Sequence, residues 1–249
     1  MTDLYSLFLG CIVPNLFPEV ERAVRDTLSK LDVEYSDARG TACCLPPALF
    51  GFNEDAWLKM NLRNFSLAKG DFLTVCDECF ASLQDARASI EGERGKALPN
   101  VLPFVKALKG VEGTIKDRTK GPLNLRCAVQ HSCHLLRPSS VRRVDDPESP
   151  RLVKSLLEAL GCEYVAQEDE VGCCGGSICA GSEIPRKLAI RRIRGAEDAR
   201  ADLIVTTCPH CLKHLGAHSK SMPVLHLAQL YALALGSNPS EVGTRGILR

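Results

Sequence analysis

The chain has 249 residues, 45% of them hydrophobic and 24% charged, with a formal net charge of +1. That is the make-up of an ordinary soluble globular protein with one large core or two small ones. The near-zero charge and 5% aromatic content leave no electrostatic footprint for nucleic acid or a membrane surface and no base-stacking platform.

In chain order, Leu4–Leu9 is apolar and ends at Gly10-Cys11. With Asp3 and no basic n-region, it reads as a strand and not as a signal peptide. Val20–Leu31 follows the breaker Pro18 and has apolar residues near helical spacing. Asn53–Lys69 reads as a second helix, and Asp71–Val75 as a short strand delivering Cys76. The stretch 110–122 is polar, with glycines and Pro122, and reads as a linker. Beyond it the pattern repeats. Asn124–Gln130 is a predicted strand delivering His131 and Cys133. Ser149–Leu160 is a helix closed by Gly161. Ser182–Ala199 is a helix, Ala201–Thr206 a strand delivering Cys208, and His210–His218 and Pro223–Leu235 are helices. The longest apolar run, Met222–Leu235, is broken by His226 and Gln229 and is too short to cross a bilayer. The expected location is the cytoplasm, with no membrane insertion.

Strands alternating with helices predict an α/β fold of two pseudo-symmetric halves, 1–120 and 121–249, each with a small parallel sheet flanked by helices. Ligands of such sheets sit beyond the carboxyl ends of the strands. Cys11, Cys76, Cys133 and Cys208 each follow a predicted strand end.

Ten of the 13 cysteines form one pattern twice: Cys11, Cys43-Cys44, Cys76, Cys79, then Cys133, Cys173-Cys174, Cys208, Cys211. The intervening lengths are 31 and 31 residues, then 39 and 33. Disulfides are rare in a reducing cytosol, so this pattern points to metal chemistry. Five thiolates per set exceed the four of a zinc ion or an ordinary cubane cluster. Adjacent cysteines diverge, which favours a cluster departing from the symmetric cube. Gly175 and Gly176 leave room for a cluster and point N–H groups at sulfur. The first copy reads Leu45-Pro46-Pro47 at that place, and its prolines remove two donors. Asp77 and Glu78 put negative charge inside Cys76-Asp-Glu-Cys79. The two centres are expected to differ in potential.

His131 and His134 flank Cys133, where an imidazole could give a proton to a leaving thiolate. His210, inside Cys208-Pro-His-Cys211, could hydrogen-bond a cluster sulfur. His214 and His218, four apart, lack a third ligand and read as surface residues. Cys162 reads as a core thiol, Cys179 as a spare ligand, and Cys127 stands outside both sets. Trp57 and Phe50–Phe52 read as core.

The double pattern resembles the cysteine-rich CCG domain family. Phe8-Leu9-Gly10-Cys11-Ile12-Val13-Pro14-Asn15 and His134-Leu135-Leu136-Arg137-Pro138-Ser139 are similar to segments of the B subunit of heterodisulfide reductase. The resemblance runs from Asp3 to about His214. It implies that each five-cysteine set holds one noncubane [4Fe-4S] cluster. It further implies that the two clusters, one electron each, reduce the mixed disulfide of coenzyme M and coenzyme B. The implied partners are the family's small ferredoxin-like protein and its flavin-containing protein, since the chain has no nucleotide motif of its own. An anionic thiol or disulfide calls for basic residues. Arg137, Arg142 and Arg143 are candidates, as are Arg186, Lys187, Arg191, Arg192 and Arg194, although such a helix face is ordinarily solvated or subunit-facing. The departures from the family are a short chain, with 53 residues between Cys79 and Cys133, and the acidic pair Asp77-Glu78. Two other readings share the cysteines: a component of a sulfur-oxidation complex working on a thiol, and an electron-transfer component of a lactate- or glycolate-oxidising complex. A double zinc protein is a third.

Overall fold

The computed structural model describes residues 4–46, 53–94, 97–178 and 183–248. The first half runs β1 (Tyr5–Phe8), α1 (Ile12–Leu16), α2 (Pro18–Lys30), β2 (Tyr35–Asp37), α3 (Glu54–Ser66), β3 (Phe72–Thr74), α4 (Asp77–Arg94), β4 (Val101–Pro103), α5 (Phe104–Gly110) and α6 (Glu112–Arg118). The second runs β5 (Arg126–Gln130), α7 (Cys133–Leu136), α8 (Ser139–Arg142), α9 (Leu152–Glu158), β6 (Glu163–Tyr164), α10 (Ile184–Asp198), β7 (Leu203–Thr206), α11 (Pro209–His218), β8 (Val224–His226) and α12 (Leu227–Ala234).

The strands form two four-stranded sheets of the same order, β2-β1-β3-β4 and β6-β5-β7-β8. Every pairing is parallel, with Leu7 opposite Leu73 in the first sheet and Val129 opposite Val205 in the second. This is the predicted pair of small parallel sheets flanked by helices. The central strands were legible because they are apolar and buried on both faces. The outer strands are two or three residues long, too short to show a period.

Three expectations are corrected. The predicted linker is mostly helical: α5 ends at Gly110, and α6 follows with Ile115 fully buried beneath its polar face. The predicted helix Pro223–Leu235 begins as β8, which pairs with β7. His226 then caps α12, its Nδ1 accepting from the Ala228 N–H at 3.2 Å. A long helix, α4, fills residues for which no element was expected. Its hydrophobic periodicity is weak because its first turn carries the buried Asp77 and Glu78. Phe50–Phe52 lie outside the described residues, while Trp57 is buried as expected.

Successive strand residues face opposite sides, and this divides the core. Leu7, Leu73, Val129 and Val205 pack on one side with α2, α5, α9 and α12. Phe8, Phe72, Ala128 and Ile204 pack on the other with Trp57, Leu83, Ile193 and Leu215. Each layer draws on both halves. Val20, Val24 and Leu28 of α2 are fully buried, each stabilising the fold by roughly 1.5–3 kcal/mol. Polar contacts bolt the halves together: Lys30 Nζ to Ser237 Oγ at 2.7 Å and Thr207 Oγ to Asp77 Oδ2 at 2.6 Å. The buried Arg142 of α8 makes a two-pronged contact with Asp85 of α4 at 2.6 and 2.8 Å. The carboxyl ends of β1, β3, β5 and β7 are thereby held close to one another.

Candidate metal centre

Cys11 follows β1 through Gly10, whose φ of +71° turns the chain back. A Cβ at Gly10 would lie 2.8 Å from Cys79 Sγ, so no side chain fits there. Cys76 lies just beyond β3, Cys79 lies in the first turn of α4, Cys133 opens α7, and Cys208 and Cys211 start α11. The two Cys-Cys pairs lie in loops, and their turns take the same course. Leu45 and Gly175, the residues after the pairs, both have left-handed backbones, φ 51° and 90°. Leu45 N–H approaches Cys43 Sγ at 3.4 Å, as Gly175 N–H approaches Cys173 Sγ at 3.2 Å. Gly176 N–H adds a contact to Cys174 Sγ at 3.3 Å. Residue 46 is proline and has no such hydrogen to give.

The first turn lacks glycine and is clamped by side chains. Asn61 Nδ2 donates to Cys44 O at 2.9 Å, and Asn64 Oδ1 accepts from Ala42 N–H at 2.8 Å. Ser82 Oγ lies 2.7 Å from both Cys44 O and Leu45 O and accepts from Trp57 Nε1 at 2.9 Å. In the second half Gln130 Nε2 donates to Gly172 O at 2.9 Å, just ahead of Cys173. These clamps were not legible in the sequence, because buried Asn, Ser and Gln carry no periodic signal.

The ten sulfurs form one continuous succession. Cys11 meets Cys43 at 3.8 Å, and Cys44 meets Cys79 at 3.4 Å. Cys79 and Cys76 are close enough to influence each other's ionisation, as are Cys76 and Cys208 of the other half. Cys208 then meets Cys211, which lies 3.1 Å from Cys174. Cys173 completes the run to Cys133. The structure thus brings the cysteines of each set near one another, and the two sets meet at Cys76 and Cys208. Among the described residues, no three His, Cys, Asp or Glu side chains converge on a point that one metal ion would occupy.

Thiols this close cannot all ionise without a cation among them. In some contacting pairs one is held down and its neighbour driven up. Cys173 is lowered to about 2 by contact with Cys133, and Cys174 is raised to about 12 by contact with Cys173. Across the axis, Cys211 and Cys76 hold Cys208 well below the ordinary thiol value, while contact with Cys208 holds Cys76 well above it. A metal bound among them would supply the missing positive charge and release the thiol protons.

Glu78 sits at the centre of the site, 2% exposed. One carboxylate oxygen lies 3.1 Å from His210 Nε2, the other 3.6 Å from His134 Nδ1. Burial pushes its carboxyl up to about 8 and holds Asp77 well above the usual carboxylate range. Burial thus favours the protonated form of both, against the negative charge expected of them at the first centre. Both also feel the Cys208 sulfur and belong to the junction of the two sets. His134 Nδ1 is 3.9 Å from Cys133 Sγ. His131 is buried with Nε2 unpartnered, and Ser132 Oγ and Glu78 Oε1 also lack hydrogen-bond partners.

Two voids adjoin the cysteines. A cavity of about 50 Å³ is walled by all five cysteines of the first set with Pro46, Glu78 and His210. An open cleft of about 740 Å³ exposes Cys133 and His134 between Arg137, Ser139 and Glu148. Arg137 lies in that cleft, bonded to Glu148 at 2.9 Å and to the Pro147 carbonyl at 3.0 Å. Arg142 also lines it, but its guanidinium is engaged by Asp85. The α10 cations do not converge on the cysteines. They line two separate grooves, and Arg192 is buried against Asp169. Cys127 and Cys162 are buried in contact with each other, away from both sets. Cys179 lies outside the described residues.

The donor set fits iron–sulfur groups: ten thiols, backbone N–H groups aimed at sulfur, and Gly10, where a Cβ would strike sulfur. Cys11 and its partners in the first set would hold one group, and Cys133 and its partners in the second set the other.

No helix among the described residues is long and apolar enough to cross a membrane. A chain in a Helicobacter pylori protein of unassigned function has a similar fold, with a TM-score of 0.64 at 10% identity. The match covers 96% of the present chain and 50% of that one. The B subunit of the ferredoxin/F(420)H(2)-dependent CoB-CoM heterodisulfide reductase of Methanosarcina acetivorans is 33% identical over 96% of this chain and 91% of its own length. The B subunit of the Methanosarcina mazei ferredoxin:CoB-CoM heterodisulfide reductase is 32% identical with the same coverage. An 8-methylmenaquinol:fumarate reductase membrane anchor subunit of Wolinella succinogenes is 27% identical over 98% of this chain and 96% of its own length. The cysteine-rich CCG domain model matches residues 5–84 and 127–216, one stretch in each half. With the ten cysteines in register in both copies, the chain belongs to the cysteine-rich, CCG-domain family of heterodisulfide reductase B subunits.

Proposed function

We propose that the chain is the catalytic subunit of a heterodisulfide reductase complex. Its two halves, 1–120 and 121–249, each hold one noncubane [4Fe-4S] cluster. The substrate is the mixed disulfide of coenzyme M and coenzyme B, which takes two electrons and two protons to give two thiols. The carrying observation is the junction of the two five-sulfur sets at Cys76 and Cys208, which lets two one-electron centres serve one S–S bond. When bound, the two clusters supply one electron each and iron with an affinity for sulfur.

The chain's own residues supply the rest. Glu78 holds a proton at neutral pH between His134 and His210. His134 stands between that proton and the open cleft, within reach of a departing thiolate at Cys133. Burial lowers His134 below its ordinary value, so the ring rests neutral and is ready to relay. Arg137 can exchange the exposed Glu148 carboxylate for an anionic end of the substrate. Electrons come from the complex's ferredoxin-like and flavin-containing proteins, in the cytoplasm.

Anaerobic purification with iron and sulfide analysis tests this reading. Two four-iron clusters require about eight irons per chain, and the loaded complex should consume the heterodisulfide. Zinc without sulfide would sink it. A relative named for lactate utilization favours a second reading, an electron-transfer component of a lactate- or glycolate-oxidising complex. Full activity after Cys133→Ser would select it.

A further inference from the structure

Electrons for a disulfide must enter from another protein, and one surface of the chain has the charge and position to receive it. Arg186, Ile190 and Arg194 lie at i, i+4 and i+8 on α10 and form a ridge between two open grooves. One groove, about 540 Å³, adds Lys187 and Arg191. The other, about 500 Å³, runs towards α11 and Lys220. None of the ten cysteines lines either groove, so a small disulfide held there could not reach sulfur.

Arg186 and Arg194 make no hydrogen bond or ion pair among the described residues, and both are exposed. Glu197 and Asp198 lie at the far end of α10, while Glu183 at its N-cap pairs with Lys187 and Asp169 pairs with Arg191. That leaves Arg186 in the first turn, with the helix macrodipole beside it, and Arg194 two turns on as the free cations of the ridge. The N-terminal end abuts the second cysteine set. A Cβ on Gly175 would lie 2.9 Å from Pro185 Cα, and His214 Nε2 bonds Pro185 O at 3.0 Å. Beside Pro185, Ile184 is 58% and Ile178 is 42% exposed. An apolar residue at the end of α10 that meets Gly175, followed along the helix by the unpaired Arg186 and Arg194, suits protein docking better than anion binding.

We propose that the exposed face of α10, with Lys220 and centred on Ile184, is the docking surface of an acidic iron–sulfur electron-donor protein, and that electrons enter at the second cysteine set. This rests on the cluster reading above. Unpaired like charges raise association with such a donor and make it sensitive to salt.

The probe is an acidic two-cluster ferredoxin, reduced and mixed anaerobically with the iron-loaded full chain. The triple change Arg186→Glu, Arg194→Glu, Lys220→Glu should lower the ferredoxin-driven reduction rate by about tenfold or more at low salt. The native rate should fall steeply with added salt and the variant's should not. Reduction by methyl viologen radical, and the iron and sulfide content, should stay unchanged. The milder triple change to Gln should fall between. A loaded variant reduced by ferredoxin at the native rate overturns the docking face, as does an equal loss with viologen or a native chain that ferredoxin does not reduce. A native chain without iron and sulfide overturns the cluster reading first, and the docking face with it.

Discussion

Changing Pro46 to alanine should move the potential of one centre and leave the other alone. The turns after Cys44 and Cys174 follow the same left-handed course, yet they present different numbers of hydrogens to sulfur. The second turn gives two, at 3.2 and 3.3 Å, and the first gives one, at 3.4 Å. The difference is the missing N–H of Pro46. A reduced centre carries one more negative charge than an oxidised one, so an N–H dipole favours the reduced form. If one such contact differs by about 1 kcal/mol between the two states, the one-electron potential differs by about 40 mV. The second centre should titrate that much above the first. Pro46→Ala should raise the first by a similar amount, with stability changed by less than about 1 kcal/mol. Potentiometric titration followed by electron paramagnetic resonance reads both centres in one sample. Coincident native potentials would refute the reasoning. So would a first centre that stays in place, or moves down, in the variant.

Three further outcomes are expected. Ser82→Ala removes a fully buried hydroxyl from Cys44 O and from Trp57 Nε1. It should cost roughly 1–3 kcal/mol in thermal denaturation and release iron from the first set before the second. Unchanged melting would show that the clamp is idle. Asp85→Ala leaves Arg142, with only 3% of its side chain exposed, without its carboxylate. About 2–4 kcal/mol should be lost, and double-mutant analysis with Arg142→Met should recover part of it. Stability should also fall on acidification through His226. Burial lowers its folded value, and its ring must stay neutral to accept from Ala228 N–H. Above the unfolded value near 6.5 this contribution is intact. Below it the unfolded chain takes up the proton first, and stability drops until the folded value is passed. Denaturant titrations from pH 7.5 to 5.5 should show a shallower slope for His226→Gln, and equal slopes would exclude this residue.

The sequence alone carried the cofactor class and the frame. Cys-Cys and Cys-x-x-Cys spacings are local, and thiolate chemistry follows from residue type. The four central strands and the long helices α2 and α10 were legible for a similar reason: each is a continuous apolar or amphipathic run whose burial its own residues specify. The short strands β2, β4, β6 and β8 were not, because two or three residues become a strand only through hydrogen bonds with a neighbour. Nor was α6, where a single buried Ile115 anchors a polar stretch.

At the site, tertiary structure decided what charge and contact mean. Asp77 and Glu78 read as anions, but burial at the junction of the sets raises both carboxyls. The α10 arginines read as a solvated or subunit-facing helix face with a possible substrate contact, and the fold sets them along two grooves away from the cysteines. Cys76 and Cys208 lie 132 residues apart in the chain, and no spacing within either copy predicts that they come close. That approach depends on how the two halves pack. Long-range packing is set by the summed complementarity of many buried surfaces, whereas ligand identity is written residue by residue.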